Sequence, residues 1–358
     1  MTLEAVELLR VRLPLKRAFT TSFGTSTDKE CVLVRAISPE HEGWGECTAM
    51  EVPRYSGEWN DGAWLVLRDH LIPAALAGRP AGVRGHPMAA AALEVASTDM
   101  DLRAKGQSLA SHLGGVRHQV PCGVSLGIEE RIEDLLELVA RFLDAGYRRI
   151  KLKIEPGRDV DVVRAVREVF PDAPLSVDAN AAYTRDTAEA VLALDDLALE
   201  YIEQPLPEDD LLGHVELQRR MATPLCLDET ITSVRVARGA IELGACRIIN
   251  VKLGRVGGLA EALRIHDLAR EAGVPLWVGG MLETGVGRAA NVALASLPGF
   301  TLPGDTSASD RYFDRDLTEP FVVDAEGAMA VPDGPGLGVA PLPDRLEVAV
   351  ADRLTVWP

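Results

Sequence analysis

KLKIE (151–155), VDAN (177–180), YIEQP (201–205), LDET (227–230) and NVKLGRVGG (250–258) follow one another along the middle of the chain. Each sets a charged residue at the end of a short apolar run. From Lys153 to Asp178, Glu203, Asp228 and Lys252 the steps are 25, 25, 25 and 24 residues. Such a beat predicts one repeated unit, each copy delivering a charged group to a common point.

Working outward, the same unit extends in both directions. QVPCGVSLG (119–127) reads as a buried strand, and residues 129–145 carry apolar side chains at helical spacing before Gly146. PLWVGGMLETG and FTLPGDTS add two more strands. Eight strand candidates alternate with helices and end near Ser125, Lys153, Asp178, Glu203, Asp228, Lys252, Gly280 and Asp305. That alternation predicts an α/β fold built on a closed parallel barrel. The competitor, a doubly wound open sheet, calls for a Gly-rich phosphate loop, and GVSLG before IEERIED is a poor match. Residues 1–50 read as strands, with FTTSFGTST (19–27) and EVPRYSG (51–57) as loops. Residues 58–112 read as helical, so 1–118 is expected to form an α+β domain. The barrel is expected over 119–319. Residues 320–358, showing turns rather than a helical period, are expected to return to the N-terminal domain.

A chain of 358 residues with 47% apolar and 25% charged residues has the composition of a globular protein. Its net charge of −17 argues against a nucleic-acid partner, which would need clustered Lys and Arg. No apolar run reaches membrane-spanning length, so no membrane partner is expected. The N-terminus lacks the layout of a signal peptide. Five scattered cysteines without a CxxC read as reduced core residues. A cytoplasmic protein is the expectation.

Barrel enzymes gather their chemistry at the C-terminal strand ends. Any one of Asp178, Glu203 and Asp228 alone reads as a solvated loop carboxylate or helix N-cap. Three at equal spacing read as ligands of a hard cation such as Mg²⁺, which relieves their mutual repulsion. Lys151 and Lys153 share a strand face. Turned inward near each other and near a metal, they would have depressed pKa values, suiting one to act as general base. Lys252 would face them from nearly across the barrel, so a proton could leave one face of a substrate and return to the other. Asn180 reads as a substrate contact or a turn former. Gly279 and Gly280 allow close backbone approach. His266 reads as a surface or packing residue, and Arg255 as a cation behind the site or an ordinary loop arginine.

These residues resemble the muconate-lactonising subgroup of the enolase superfamily. VDANAAYT, IEQPLPEDD, LCLDET, RVGG, GGMLETGVGRAANVALASLP, LPGDTSASDRY, TSFGT, GWGEC and PCGVSLGI are similar to the N-acylamino acid racemase and o-succinylbenzoate synthase branch. The resemblance covers nearly the whole chain. It implies a modified (β/α)7β barrel of TIM type under an N-terminal capping domain. Asp178, Glu203 and Asp228 would bind Mg²⁺, for which Mn²⁺ can substitute. Lys153 and Lys252 would be the acid/base pair, with Lys151 beside the substrate carboxylate. Phe19, Phe23, Met50 and Tyr55 match cap positions that shape the pocket. Ser125, Asn180, Gly280, Met281 and Leu282 match barrel positions that touch substrate, and Arg255 and Asp305 stand behind them. The implied substrate is a small anion, either an N-acyl (succinyl) amino acid or the cyclohexadiene carboxylate dehydrated in menaquinone synthesis. A bifunctional site and a homo-oligomer, dimer or octamer, are implied too. The alternatives are a dipeptide epimerase, for which Asp305 would offer an ammonium site, a sugar-acid dehydratase, and a non-catalytic binding barrel. GGMLETG offers no histidine base for the dehydratase, and intact lysines and carboxylates speak against the binding barrel. Leu253, where relatives often carry proline, is the one local departure.

Overall fold

The computed structural model describes residues 3–358. The chain opens with three antiparallel strands, β1 (Ala5–Thr21), β2 (Gly24–Ile37) and β3 (Glu42–Cys47). β4 (Gln119–Pro121) follows a helical stretch. Then come β5 (Gly123–Leu126), β6 (Arg149–Lys153), β7 (Leu175–Asp178), β8 (Ile202–Glu203), β9 (Leu225–Leu227), β10 (Ile248–Val251) and β11 (Leu276–Val278). β12 (Ala328–Ala330) and β13 (Val350–Val356) lie near the C-terminus.

The first sheet has the order β13-β1-β2-β3, so the last strand pairs with the first. The two-residue period of β1 and β2 splits their side chains between two cores. Val6, Leu8, Val32 and Val34 pack with Met88, Ala92 and Ala96 of the helix Pro87–Lys105. Leu9, Val11, Cys31 and Leu33 join the large core shared with the barrel. Gly45 lets that helix lie directly on β3, because a Cβ there would come within 2.0 Å of the Ala92 carbonyl oxygen.

The second sheet is parallel, in the order β11-β10-β9-β8-β7-β6-β5. Residues 300–305 close it into a ring. Phe300 bridges to Leu276 and Gly304 to Cys122, and Gly123 N donates to Gly304 O at 2.7 Å. The predicted barrel is thus present, with its eighth strand reduced to two isolated bridges.

Several local expectations are corrected. Residues 19–27 are not a loop but the tip of the β1–β2 hairpin, with Thr20 paired to Thr25 and Thr21 to Gly24. Their β-branched threonines suit a strand. QVPCGVSLG divides at Cys122, because β4 pairs antiparallel with β12 rather than joining the barrel. The helix after VDAN shrinks to Glu189–Leu192. There the Thr187 hydroxyl accepts from Thr184 N at 2.9 Å and competes with helix formation. The C-terminal segment carries a short helix, Pro343–Ala349, besides its turns and strands.

Candidate active site

Parallel register aligns the charged strand ends. Lys153 is the neighbour of Asp178, and Asp178 of Glu203. Glu203 pairs with Cys226, two residues before Asp228. Lys252 directly follows β10. All three carboxylates are buried.

Each lysine stands on a carboxylate. Lys151 Nζ lies 2.7 Å from Glu203 Oε2, 2.8 Å from Asp305 Oδ2 and 3.2 Å from Asp178 Oδ2. Lys153 Nζ donates to Asp178 Oδ2 and to Asn180 Oδ1, both at 2.6 Å. Lys252 Nζ sits 2.9 Å from Asp228 Oδ2 and 4.3 Å from the centre of the Tyr55 ring. Arg255 is 3% exposed. It binds Asp228 Oδ1 and the Tyr55 hydroxyl, and its Nη2 donates to Asn250 O at 2.6 Å. The Tyr55 hydroxyl in turn donates to Asp228 Oδ1 at 3.0 Å.

The electrostatics follow from this pairing. Burial alone would lower the pKa of Lys151, but Asp305, Glu203 and Asp178 outweigh it and raise the pKa well above the ordinary value. Carboxylates rather than the neighbouring ammonium dominate its surroundings in this arrangement, whereas the depressed value is expected of a site that holds a metal. Lys252 is likewise raised, Tyr55 and Glu229 overcoming burial. Burial opposes ionisation of Asp178, yet Lys153 and Lys151 hold it well below the usual carboxylate range. Glu203 is raised, by burial first and then by the charge of Asp178.

Above these groups lies a cavity of about 420 Å³. Phe19, Phe23, Met50 and Tyr55 line it from the N-terminal sheet and its loop. Ser125, Lys151, Lys153, Asn180, Lys252, Gly280, Met281, Leu282 and Asp305 line it from the barrel. Asp178, Glu203, Asp228 and Arg255 stand behind that wall. Ser125 Oγ is buried there without a hydrogen-bond partner. Gly280 has no room for a side chain, since a Cβ would lie 2.9 Å from Asp305 O. His266 packs away from the cavity, stacked on Phe300.

Among the described residues, no three His, Cys, Asp or Glu side chains are gathered into a ready-made cation cage. The donor set nonetheless suits a hard divalent cation. The carboxylates supply oxygen from three adjacent strand ends, all three buried, and the only cation on Asp228 Oδ2 among the described residues is the Lys252 ammonium at 2.9 Å. Positive charge is already drawn to the spot, because the Lys151 ammonium bridges Asp178 and Glu203.

Further groups belong to the site that sequence reasoning passed over. Arg149 Nη2 donates to Asp305 Oδ1 at 2.6 Å. RIKLK alternation already puts Arg149 on the face of Lys151 and Lys153. Asn250 Nδ2 donates to Glu203 Oε1 at 2.7 Å, and its place two residues before Lys252 is an equal signal. Glu229, beside Asp228 in LDET, accepts from Asn180 Nδ2 at 3.0 Å. Burial, then the charge of Asp178, pushes its pKa up to about 7. Lys29 Nζ donates to Met281 O at 2.9 Å from the N-terminal sheet. No pattern in TSTDKE announces that contact.

Residues 134–345 match the family described as enolase C-terminal domain-like. N-succinylamino acid racemase from Amycolatopsis sp is 57% identical, over all of this chain and 99% of the relative. o-Succinylbenzoate synthase from Geobacillus stearothermophilus is 49% identical, over 94% of this chain and 93% of the relative. The crystal structure of an enolase-superfamily member from Listeria innocua superposes with a TM-score of 0.93 at 37% identity, covering 100% of this chain and 99% of that one. With its capped parallel barrel and its lysines and carboxylates at the strand ends, the chain belongs to the enolase superfamily, in the family of the N-succinylamino acid racemases and o-succinylbenzoate synthases.

Proposed function

We propose that this enzyme moves the proton α to the carboxylate of an N-acylamino acid, the acyl group being succinyl, and so interconverts its enantiomers. The same residues serve the dehydration that yields o-succinylbenzoate, and we read the site as bifunctional. One observation carries the reading: Lys153 and Lys252 enter one cavity, each paired to a different buried carboxylate.

In this reading Asp178, Glu203 and Asp228 hold Mg²⁺, which members of the superfamily generally use, with Mn²⁺ able to replace it. When bound, the metal supplies positive charge that acidifies the α-proton. Lys153 takes the proton from one face and Lys252 returns it to the other. For dehydration Lys153 takes the proton and assists departure of the hydroxyl on the same face, while Lys252 stays protonated as an electrostatic partner. Lys151 holds the substrate carboxylate. Met281, Leu282, Phe19, Phe23, Met50 and Tyr55 wall in the remainder of the substrate, beside Ser125, Asn180 and Gly280. Residues 1–118 act as the cap, 119–319 as the catalytic barrel and 320–358 as the returning segment.

Both oxygens of Asp305 are engaged, by Arg149 and Lys151, which disfavours its use as the ammonium site of a dipeptide epimerase. We further propose a cytoplasmic homo-oligomer. The five buried, unpaired cysteines support a reducing setting. Among the described residues, no helix is long and apolar enough to cross a membrane.

Polarimetry with N-succinylphenylalanine and Mg²⁺ tests the reading, beside a spectrophotometric assay of the synthase reaction. Loss of optical rotation is expected, and addition of a chelator is expected to stop it. A chain that alters neither substrate overturns the proposal.

A further inference from the structure

The side-chain amide of Asn180 sits between the Lys153 ammonium and the Glu229 carboxyl group. Its Oδ1 accepts from Lys153 Nζ at 2.6 Å, and its Nδ2 donates to Glu229 Oε1 at 3.0 Å. The two ends of an amide have nearly the same shape, so packing alone does not choose between them. Turned over, the amide would present N–H groups to an ammonium, and two donors would meet. A Glu229 carboxyl oxygen on the other side selects the same orientation, and does so whether or not Lys153 carries its proton. Glu229 is 8% exposed, next to Asp228 in the chain, and its Oε2 is buried without a hydrogen-bond donor. Asn180 is held from below as well: its backbone N–H donates to Asp178 Oδ1 at 2.9 Å, in a left-handed conformation with φ 45°.

We propose that Glu229 is a positioning residue for the α-proton transfer. By accepting from Asn180 Nδ2 it fixes the amide with Oδ1 toward Lys153, and that oxygen aims the Lys153 ammonium over the cavity. The inference rests on the reading above in which Lys153 moves the α-proton. Its chemistry is that of orientation: a charge-assisted bond holds the lysine in one rotamer, and a misdirected proton-transfer group costs turnover more than binding. A glutamine side chain has the shape of glutamate but offers either an oxygen or an NH₂ group, so Glu229→Gln gives up the choice.

The test is Glu229→Gln assayed by racemisation. The variant is expected to lower kcat about tenfold or more with KM changed less than about threefold, the loss of one hydrogen bond to a charged group acting in the transition state. A variant with parental kcat, or one whose KM rises as much as its kcat falls, overturns the proposal. Neutron diffraction of the deuterium-exchanged protein supplies a readout free of any substrate. Deuterons on the Asn180 atom facing Glu229 are expected; deuterons facing Lys153 overturn the proposal even if the enzyme proves to act on another substrate. Absence of racemisation by the parent enzyme would instead sink the functional reading alone.

Discussion

Tyr55 ties the cap to the proposed chemistry through a single ring. Its hydroxyl donates to Asp228, its oxygen accepts from Arg255, and its face lies under Lys252. Tyr55→Phe keeps the ring and removes the hydroxyl. We expect about 1–3 kcal/mol lost from stability in urea titrations, because Arg255 loses a buried acceptor. Tyr55→Leu also removes the cation–π contact and is expected to lower kcat further. Unchanged stability in both variants would contradict the linkage. At this scale the sequence is legible where charge meets period. Lys153, Asp178, Glu203, Asp228 and Lys252 announce themselves by spacing alone. The partners of Lys151 escape such a reading, because spacing shows the nearby lysine but not Asp305, which arrives from the ring-closing segment beside β5.

Secondary-structure elements are joined across the cap and barrel by carboxylates. Glu46, on β3, accepts from the backbone N–H groups of Thr284 and Gly287 and from the Thr284 hydroxyl. It thereby caps the helix Gly285–Ala295, which follows the cavity-lining residues Met281 and Leu282. Glu46→Ala leaves those N–H groups buried and unpaired, at an expected cost of about 1–3 kcal/mol. Amide hydrogen exchange should show faster exchange at 284–287 with the barrel strands unaffected. Exchange spread evenly over the chain would argue against a local cap. Such contacts explain what the sequence hides. GWGEC reads as a strand, but nothing in it says that Glu46 will meet Thr284 and Gly287, far along the chain. The hairpin tip at 19–27 likewise reads as a loop because Ser, Thr and Gly are turn residues, whereas pairing across β1 and β2 makes it strand.

The whole molecule is one closed barrel under a sheet built from β1–β3 and β13, and one carboxylate inside the barrel, Asp305, gives its stability a pH dependence. Burial opposes ionisation of Asp305, but Lys151 and Arg149 hold it well below the ordinary aspartate range. A carboxylate lowered in the folded state adds stability above its unfolded pKa and loses it as pH falls through its folded value. Asp305→Asn should therefore be most destabilised relative to the parent near neutral pH, the gap closing below about pH 4. Urea midpoints measured in chelator from neutral to acid pH check this, and a pH-independent gap would contradict it. The central claim is narrower: two lysines share one α-proton. It is tested most directly by incubating each enantiomer of an N-succinylamino acid in D₂O with Mg²⁺ and following deuterium at Cα by NMR. The parent enzyme should exchange and invert both enantiomers, and Lys252→Ala should abolish inversion. Full racemase rate in Lys252→Ala, or no exchange by the parent enzyme from either enantiomer, would contradict the account.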